Sequence, residues 1–198
     1  MVSTRYDWPV NEPTELHALL ERIGNLLRQE VRRSGAAHGL QPVQLEALHY
    51  LSICNRFSDT PQGVAEYLGL TKGTVSQTLK VLEARGLVLK SPDPDDRRVV
   101  HLALTGSGNR ALEASIPPAL LDAALARLPP GRRRPLVTSL RELLAELQQA
   151  NDGRPFGVCR GCRYHQVVSD TLSRCTLIGA DLSGEDAGRI CREHQAAA

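Results

Sequence analysis

Four cysteines near the carboxyl end of the chain have the type and spacing that metal chemistry requires. They form the pattern Cys159-x2-Cys162-x12-Cys175-x15-Cys191, and a fifth, Cys54, stands apart from them. The Cys-x2-Cys pair brings two thiolates near one point, and the two later cysteines can complete a four-thiolate site through the intervening loops. Four thiolates favour zinc or an iron–sulfur cluster over hard cations. In a reducing compartment, such clustering indicates metal ligation before two disulfides or four unpaired thiols.

The spacing favours a [4Fe–4S] cluster as the cofactor, with Zn²⁺ as the alternative. Zinc sites commonly use two Cys-x2-Cys pairs, but here the second half is split by 15 residues, which resembles four-cysteine cluster sites loosely. His165 and His194 each follow a cysteine by three residues, so a mixed Cys/His zinc site stays open. An arginine flanks each of the four cysteines, and its charge is expected to offset an anionic cluster. These arginines are Arg160, Arg163, Arg174 and Arg192.

The bound group decides what this segment can sense. Zinc has no redox chemistry, whereas a cluster responds to oxygen, to reactive oxygen or nitrogen species, or to iron supply. The segment has few large apolar side chains, so a metal would also stabilise its fold. Cys54 has no adjacent base and is expected to be a small buried side chain in the last turns of a helix.

The composition limits the class of protein. The chain has 198 residues, of which 41% are hydrophobic and 23% charged, as in a globular domain with a short appendage. Its net charge of +2 gives no general attraction to polyanions, so nucleic-acid binding needs a local patch. No apolar run approaches the roughly 18 residues of a membrane span, and the first residues lack a secretory signal, so a cytoplasmic location is expected. No catalytic motif is apparent, and we do not expect an enzyme.

The elements that must position these residues divide the chain into two parts. Residues 1–150 are predicted to be mainly α-helical, and residues 151–198 form a cysteine-bearing extension. Pro117 and Pro118 should kink or split the fifth helix. The predicted helices begin at or just after Thr14, Pro42, Thr60, Thr71, Thr105 and Pro130, with Thr14, Thr71 and Thr105 as N-caps.

A helix-turn-helix pattern covers residues 60–85, where a glycine-containing turn separates two short helices. Two predicted strands follow at 87–90 and 99–104, and the polar tip between them completes a wing. The second helix is predicted to carry short polar and basic side chains on its outer side, where they can contact base edges or phosphates. These candidates are Lys72, Thr74, Ser76, Gln77, Thr78 and Lys80.

The tip of the wing carries Arg97 and Arg98, which are placed to reach the adjacent minor groove. Asp95 and Asp96 are expected to hold the arginine side chains through ion pairs and turn hydrogen bonds. A merely solvated face is the default interpretation of an isolated polar helix. The order of helix, turn, helix and basic hairpin favours a DNA-binding surface instead.

Three sequence runs together resemble the MarR family of winged-helix regulators. They are LTKGTVSQTLKVLEARGLV at 70–88, DPDDRR at 93–98 and LALTGSG at 102–108. The resemblance covers roughly residues 14–150. It implies a homodimer held by the first helix and the last two helices, a pseudo-palindromic double-stranded operator, and a wing motif at Asp96 and Arg98 with Arg98 in the minor groove. The Pro117-Pro118 break and the whole extension depart from the family pattern.

These features predict a dimeric transcription regulator whose extension is a redox, oxygen or iron sensor. The extension follows the last helix of the expected dimer interface, so its state is expected to act by tilting the two recognition helices. Some members of the family with cysteine-rich additions carry clusters. Two alternatives remain. In the first, the extension is a structural zinc module, and a small-molecule effector binds in the cleft between the dimerisation and DNA-binding regions, as the resemblance implies. In the second, the extension binds another protein.

Overall fold

The structure is a computed structural model that describes residues 11–151, 155–170 and 172–197. Its first part is mainly helical with one two-stranded sheet, as the sequence predicts. The boundary expected near residues 151–155 lies partly outside the described residues. The elements of this part, the body, are α1 (Glu12–Ala37), α2 (Pro42–Ile53), α3 (Pro61–Leu68), α4 (Lys72–Ala84), β1 (Val88–Pro92), β2 (Val100–Leu104), α5 (Gly106–Glu113), α6 (Ala119–Arg127) and α7 (Pro130–Ala150).

Side-chain caps explain where most of the body helices begin. Thr71 and Thr105 each accept a hydrogen bond from the backbone N–H three residues later, as predicted, and Thr60 does the same. The prediction that Thr14 caps the first helix is wrong. Asn11 is the N-cap, and its side chain accepts a hydrogen bond from the backbone N–H of Thr14 at 3.2 Å, so the cap lies three residues earlier than predicted.

The predicted break in the fifth helix is confirmed. Proline removes a backbone donor and restricts the residue before it, so the helix cannot continue through Pro117 and Pro118. The chain therefore forms two helices, α5 and α6, with these prolines between them.

The wing is a regular antiparallel hairpin. The register pairs Val88 with Leu104 and Pro92 with Val100, so that the loop at 93–99 projects from the body. The backbone N–H of Leu102 also donates to the carbonyl of Asp59 at 2.7 Å, which ties β2 to the loop between α2 and α3.

The hydrophobic core lies between α2, α3, α4 and the wing strands. Its largest fully buried apolar side chains in this part are Leu45, Leu48, Tyr50, Val64, Val75, Leu79, Leu82 and Val88. By contrast, α6 and α7 contain no buried residue, and one face of α1 stays open. The exposed apolar side chains of these helices include Leu16, Leu19, Leu20, Ile23, Leu26, Leu120, Leu136, Leu140, Leu144 and Leu147. No helix among the described residues is both long enough and apolar enough to cross a membrane.

The extension folds into small elements of two to five residues. These elements are β3 (Gly157–Val158), β4 (His165–Val167), β5 (Ser173–Cys175), β6 (Ala180–Leu182), α8 (Gly184–Gly188) and β7 (Ile190–Cys191). Strands β4, β5 and β6 form an antiparallel sheet in that order, and β3 pairs with β7, the last strand of the extension. A 3₁₀ turn at Cys159–Gly161 follows β3.

The extension packs on the loop between α2 and α3, residues 54–60, which we call the docking loop. The backbone N–H of Asn55 donates to the carbonyl of Ile190 at 2.9 Å, and the backbone N–H of Arg192 donates to Ser58 Oγ at 2.9 Å. Phe156 meets the rings of Tyr50 and Tyr67 edge to face, with centroids 6.0 and 5.2 Å away. The extension is thus joined to the helix-turn-helix unit.

Candidate DNA-binding surface and cysteine-lined cavity

Helix α4 presents five of its six predicted contact residues to solvent. Lys72, Thr74, Ser76, Gln77 and Lys80 are exposed. The prediction that Thr78 lies on the outer side is wrong: this residue is 8% exposed, and its hydroxyl donates to the carbonyl of Thr74 at 2.9 Å. Thr78 lies three residues after Val75 and beside Leu79, so it falls on the inner stripe of the helix.

The wing tip is organised by two aspartates. Asp93 Oδ1 accepts from the backbone N–H groups of Asp95 and Asp96 at 2.8 and 2.7 Å, which closes the turn. Asp96 then holds the guanidinium of Arg98 through Nε at 2.9 Å and Nη2 at 2.8 Å. This pairing lowers the pKa of Asp96. Arg97 is also exposed. Aspartates therefore shape the basic tip, as predicted, although Asp95 contributes through its backbone.

The wing is tied to the docking loop close to its tip by His101, which sequence analysis does not single out. Its Nδ1 lies 2.5 Å from Asp59 Oδ1 and its Nε2 lies 2.9 Å from Asp93 Oδ2. The hydrogen bond to Asp59 raises the pKa of His101, while burial raises the pKa of Asp59. The contacts of His101 could not be predicted from neighbouring residues, because its partners Asp59 and Asp93 lie 42 and 8 residues away in the chain.

The four cysteines of the extension line one cavity of about 240 Å³. Cys159 and Cys162 are buried, whereas Cys175 and Cys191 are partly buried. A hydrogen bond from the Cys159 thiol to the sulfur of Cys191 raises the pKa of Cys159 and lowers that of Cys191 to about 6. The four cysteines that the sequence predicts to share one site thus all border this cavity.

Short elements bring the four sulfurs to this cavity. Cys159 and Cys162 flank the 3₁₀ turn, in which the N–H of Cys162 donates to the carbonyl of Cys159 at 2.9 Å. Cys175 ends β5, and Cys191 ends β7. Two N–H groups point at sulfurs: Asn55 Nδ2 donates to Cys159 at 3.2 Å, and the backbone of Gln195 donates to Cys162 at 3.5 Å. Such donors stabilise thiolate ligands.

His165 and His194 differ in their placement. His165 lines the cavity, and its Nε2 is buried with no hydrogen-bond partner among the described residues. The ring of His194 instead lies over Gly157, where an added Cβ would come within 2.7 Å of three ring atoms. A side chain larger than glycine at position 157 would therefore displace this ring.

The four arginines that flank the cysteines, whose charge is expected to offset an anionic site, each make a contact with another residue. Arg192 forms an ion pair with Glu66 in α3, and Arg174 pairs with Asp181 at 2.9 Å. The others contact the carbonyl of Gly184 and the ring of Tyr164; these are Arg160 and Arg163.

The other part of the cavity wall is apolar and includes the wing. Leu177, Ile178 and Leu182 line the side of the extension, whereas Asp93, Val99 and His101 line the side of the wing. Among the described residues, no group of three or more His, Cys, Asp or Glu could hold a single metal ion as the side chains stand.

Cys54 behaves as the sequence predicts, although it is the C-cap of α2 and lies just beyond its last turn. The residue is buried beside the docking loop, and burial raises the pKa of its thiol to about 12. Cys54 does not line the cysteine-lined cavity.

Further cavities lie outside the cysteine-lined one. One of about 470 Å³ lies between α2 and β2 of the body and α8 of the extension, and its wall includes Arg56, Asp59 and Arg189. Another, of about 370 Å³, lies between α2 and α5 and is lined by His49, Asn109 and Ile116 among others.

The sequence of the chain is similar to those of known transcriptional regulators. Residues 38–99 match the model of a family described as the MarR family. The HTH-type transcriptional repressor NicR of Pseudomonas putida (strain KT2440) is 33% identical over 131 residues, which cover 63% of this chain and 83% of the relative.

Solved structures agree with that match. CouR from Rhodococcus jostii RHA1 bound to p-coumaroyl-CoA is 28% identical with a TM-score of 0.55, and the alignment covers 67% of this chain and 90% of CouR. The MepR–DNA complex of S. aureus has a TM-score of 0.55 at 24% identity, which shows a shared fold; it covers 66% of this chain and 96% of MepR. About a third of this chain lies outside each alignment.

Proposed function

The chain belongs to the MarR family of DNA-binding transcriptional regulators, and from this premise we propose that it acts as a homodimer whose extension carries a [4Fe–4S] cluster as a sensor. The observation that carries the sensor proposal is the convergence of all four extension cysteines on one cavity. The wing that borders this cavity provides the link to DNA.

DNA contact is assigned to α4 and the wing tip. Lys72, Thr74, Ser76, Gln77 and Lys80 form the exposed polar side of α4, which is suited to the major groove. The side chain of Arg98 is 90% exposed yet oriented by Asp96, which suits insertion into a narrow minor groove. Thr78 is left out of this set because its hydroxyl is bound to the helix backbone.

The dimer proposal rests on the apolar faces of α1, α6 and α7. Their leucines form exposed rows on helices that bury little or nothing within one chain, and large exposed apolar patches indicate an interaction site. A twofold pair would bring two recognition helices to successive major grooves, about 34 Å apart, and so match a pseudo-palindromic operator.

The chemistry of the cavity supports a cluster. Cys159, Cys162, Cys175 and Cys191 would hold the irons, N–H donors stabilise two of these sulfurs, and apolar side chains limit access of water. A bound cluster would supply one-electron chemistry and sensitivity to oxidants or iron supply. His165 also lines the cavity, and its buried Nε2 has no hydrogen-bond partner among the described residues, so it is available to a bound group.

A structural zinc site is the less favoured alternative. Zinc sites commonly use two Cys-x2-Cys pairs, whereas here Cys175 and Cys191 are separated by 15 residues. This spacing, which loosely resembles that of four-cysteine cluster sites, is the ground for preferring the cluster.

The test is purification of the full chain under exclusion of air, followed by an absorption spectrum and iron, sulfide and zinc analysis. We expect a brown protein with about four irons per chain and broad absorption that bleaches in air. Cys175→Ser should lose most of this iron, whereas Cys54→Ser should retain it. One zinc per chain and a colourless protein would contradict the cluster.

DNA binding is tested with a duplex selected by the protein from a random pool. We expect a pseudo-palindromic site, weaker binding by Lys72→Ala and Arg98→Ala, and little effect of Arg110→Ala on α5. Failure to enrich any sequence would contradict the assignment of a specific DNA-binding surface.

A further inference from the structure

We propose that His101 is a positioning residue that transmits the state of the cysteine-lined cavity to the wing tip through Asp59 and Asp93. This inference rests on the proposed function, since it concerns how a filled or empty cavity changes DNA binding. From the sequence alone, the extension is expected to act through the dimer interface by tilting the two recognition helices. The connection proposed here lies within each chain instead.

The first step joins a cysteine to the docking loop. Asn55 is fully buried, and its side-chain Nδ2 donates to Cys159 Sγ at 3.2 Å. Its backbone N–H donates to the carbonyl of Ile190, next to Cys191, while its Oδ1 accepts from the N–H of Phe57 at 3.2 Å. Movement of either cysteine therefore changes the conformation that Asn55 imposes on the docking loop.

The second step joins the docking loop to the wing. Asp59 holds β2 by two contacts, one from its carbonyl to the N–H of Leu102 and one from its carboxylate to His101. The imidazole bridges from there to the carboxylate of Asp93. Since Asp93 and His101 also form part of the cavity wall, the contents of the cavity reach this bridge directly as well.

The third step runs from Asp93 to the DNA-contacting arginine. The carboxylate of Asp93 uses one oxygen for His101 and the other for the N–H groups of Asp95 and Asp96. The same Asp96 orients Arg98. Loss of the His101 bridge would free the carboxylate that closes the turn, and the orientation of Arg98 would become less defined.

The contacts of the extension favour this route over α7. α7 meets the extension through a hydrogen bond from Gln148 to the carbonyl of Phe156 at 3.1 Å, and Phe156 itself packs on rings of α2 and α3. The docking loop is instead joined to β7 by hydrogen bonds at Asn55 and Ser58 and to the wing at Asp59.

The experiment compares full-length protein with its cluster and after removal of iron by an anaerobic chelator. Two readouts are taken for wild type, His101→Leu and His101→Gln: affinity for the duplex selected from a random pool, and hydrogen exchange of residues 91–99 without DNA. His49→Leu is the matched control, because this histidine is also partly buried but lies in α2 away from the wing.

We expect removal of iron to change wild-type affinity by a factor in the usual allosteric range, about 5- to 150-fold, and to raise exchange in the wing. In His101→Leu the affinity ratio should fall to within about twofold, with iron content unchanged, and exchange should be high in both states. His101→Gln should restore part of the ratio because an amide can still bridge one aspartate.

The outcomes separate the two proposals. If His101→Leu binds iron and keeps both the full affinity ratio and the wild-type difference in exchange, the route through His101 is overturned and the cluster sensor stands. If His101→Leu does not fold, the same comparison is made with His101→Gln, for which an unreduced ratio overturns the route. Wild-type protein that binds no iron overturns the sensor and the route together.

Discussion

The ion pair between Arg192 and Glu66 should hold the extension on the helix-turn-helix unit. Arg192 follows the last cysteine of the cavity, and its guanidinium contacts both carboxylate oxygens of Glu66 in α3, with Nη2 at 3.0 Å from Oε1. We propose to replace them singly and together, as Arg192→Met and Glu66→Gln, because Glu66→Gln keeps the length of the side chain, Arg192→Met keeps an unbranched apolar stem, and both remove the charge.

The expected magnitude follows from the burial of this pair. The side chains of Arg192 and Glu66 are 16% and 28% exposed, so the pair lies between the exposed and fully buried cases. Exposed pairs contribute about 0.2–1 kcal/mol, while removal of one partner from a buried pair costs about 3–5 kcal/mol. We therefore expect each single change to cost about 1–3 kcal/mol, with a coupling energy of about 1–2 kcal/mol.

The assay is equilibrium unfolding in urea of the four full-length proteins, prepared with equal iron content and followed by circular dichroism. The matched control is the pair of Arg174 and Asp181 within the extension, whose side chains are 51% and 52% exposed. Its coupling should stay below about 0.5 kcal/mol and vanish at high salt. An Arg192–Glu66 coupling no larger than that of the control would refute the reasoning that this pair fastens the extension.

Other expectations follow from single residues. Arg98→Ala should lower the slope of log affinity against log salt concentration by about 0.9 for the selected duplex if this arginine contacts one phosphate; an unchanged slope would contradict that contact. Burial raises the pKa of Cys54 to about 12, so iodoacetamide at pH 8 should leave it unmodified in folded protein, as mass spectrometry would show. The hydrogen bond to Asp59 raises the pKa of His101 above 6.5 in the folded protein. The protonated imidazole therefore stabilises the fold fully at a pH below the pKa of histidine in the unfolded chain, and this stabilisation is lost as the pH rises through the pKa in the folded protein. The gap in Tm between metal-free wild type and His101→Leu should therefore be wider at pH 6 than at pH 9. Leu144→Glu on the open face of α7 should convert the dimer to monomers in light scattering.

Local signals made much of the body predictable. Threonine caps and apolar residues at three-and-four spacing define helix starts and inner faces within one or two turns. Thr78 shows where such reasoning fails: its residue type suggested a contact with DNA, whereas its position one turn from Val75 placed it inside. For a short polar residue, its position relative to the apolar stripe of the helix predicts whether it is exposed better than its residue type does.

The extension was less predictable because its elements are too short to show a period. Strands of two or three residues have no alternating pattern, so only the cysteine spacing and the expectation of one site could be read in advance. Packing of the extension on the docking loop depends on contacts such as Asn55 with Cys159, which are 104 residues apart in the chain. Secondary-structure propensities depend on neighbouring residues, so they do not predict contacts between residues so far apart in the chain.

The attachment of the extension to the docking loop has a consequence for mixed assemblies. Under the proposed homodimer with a cluster sensor, each chain has its own cavity, wing and bridge, so one chain can change state independently of its neighbour. A pair with one loaded and one empty chain should then bind its two half-sites with different affinities. DNA binding should therefore change in two steps as oxidant increases, which would give a graded response instead of an all-or-none one.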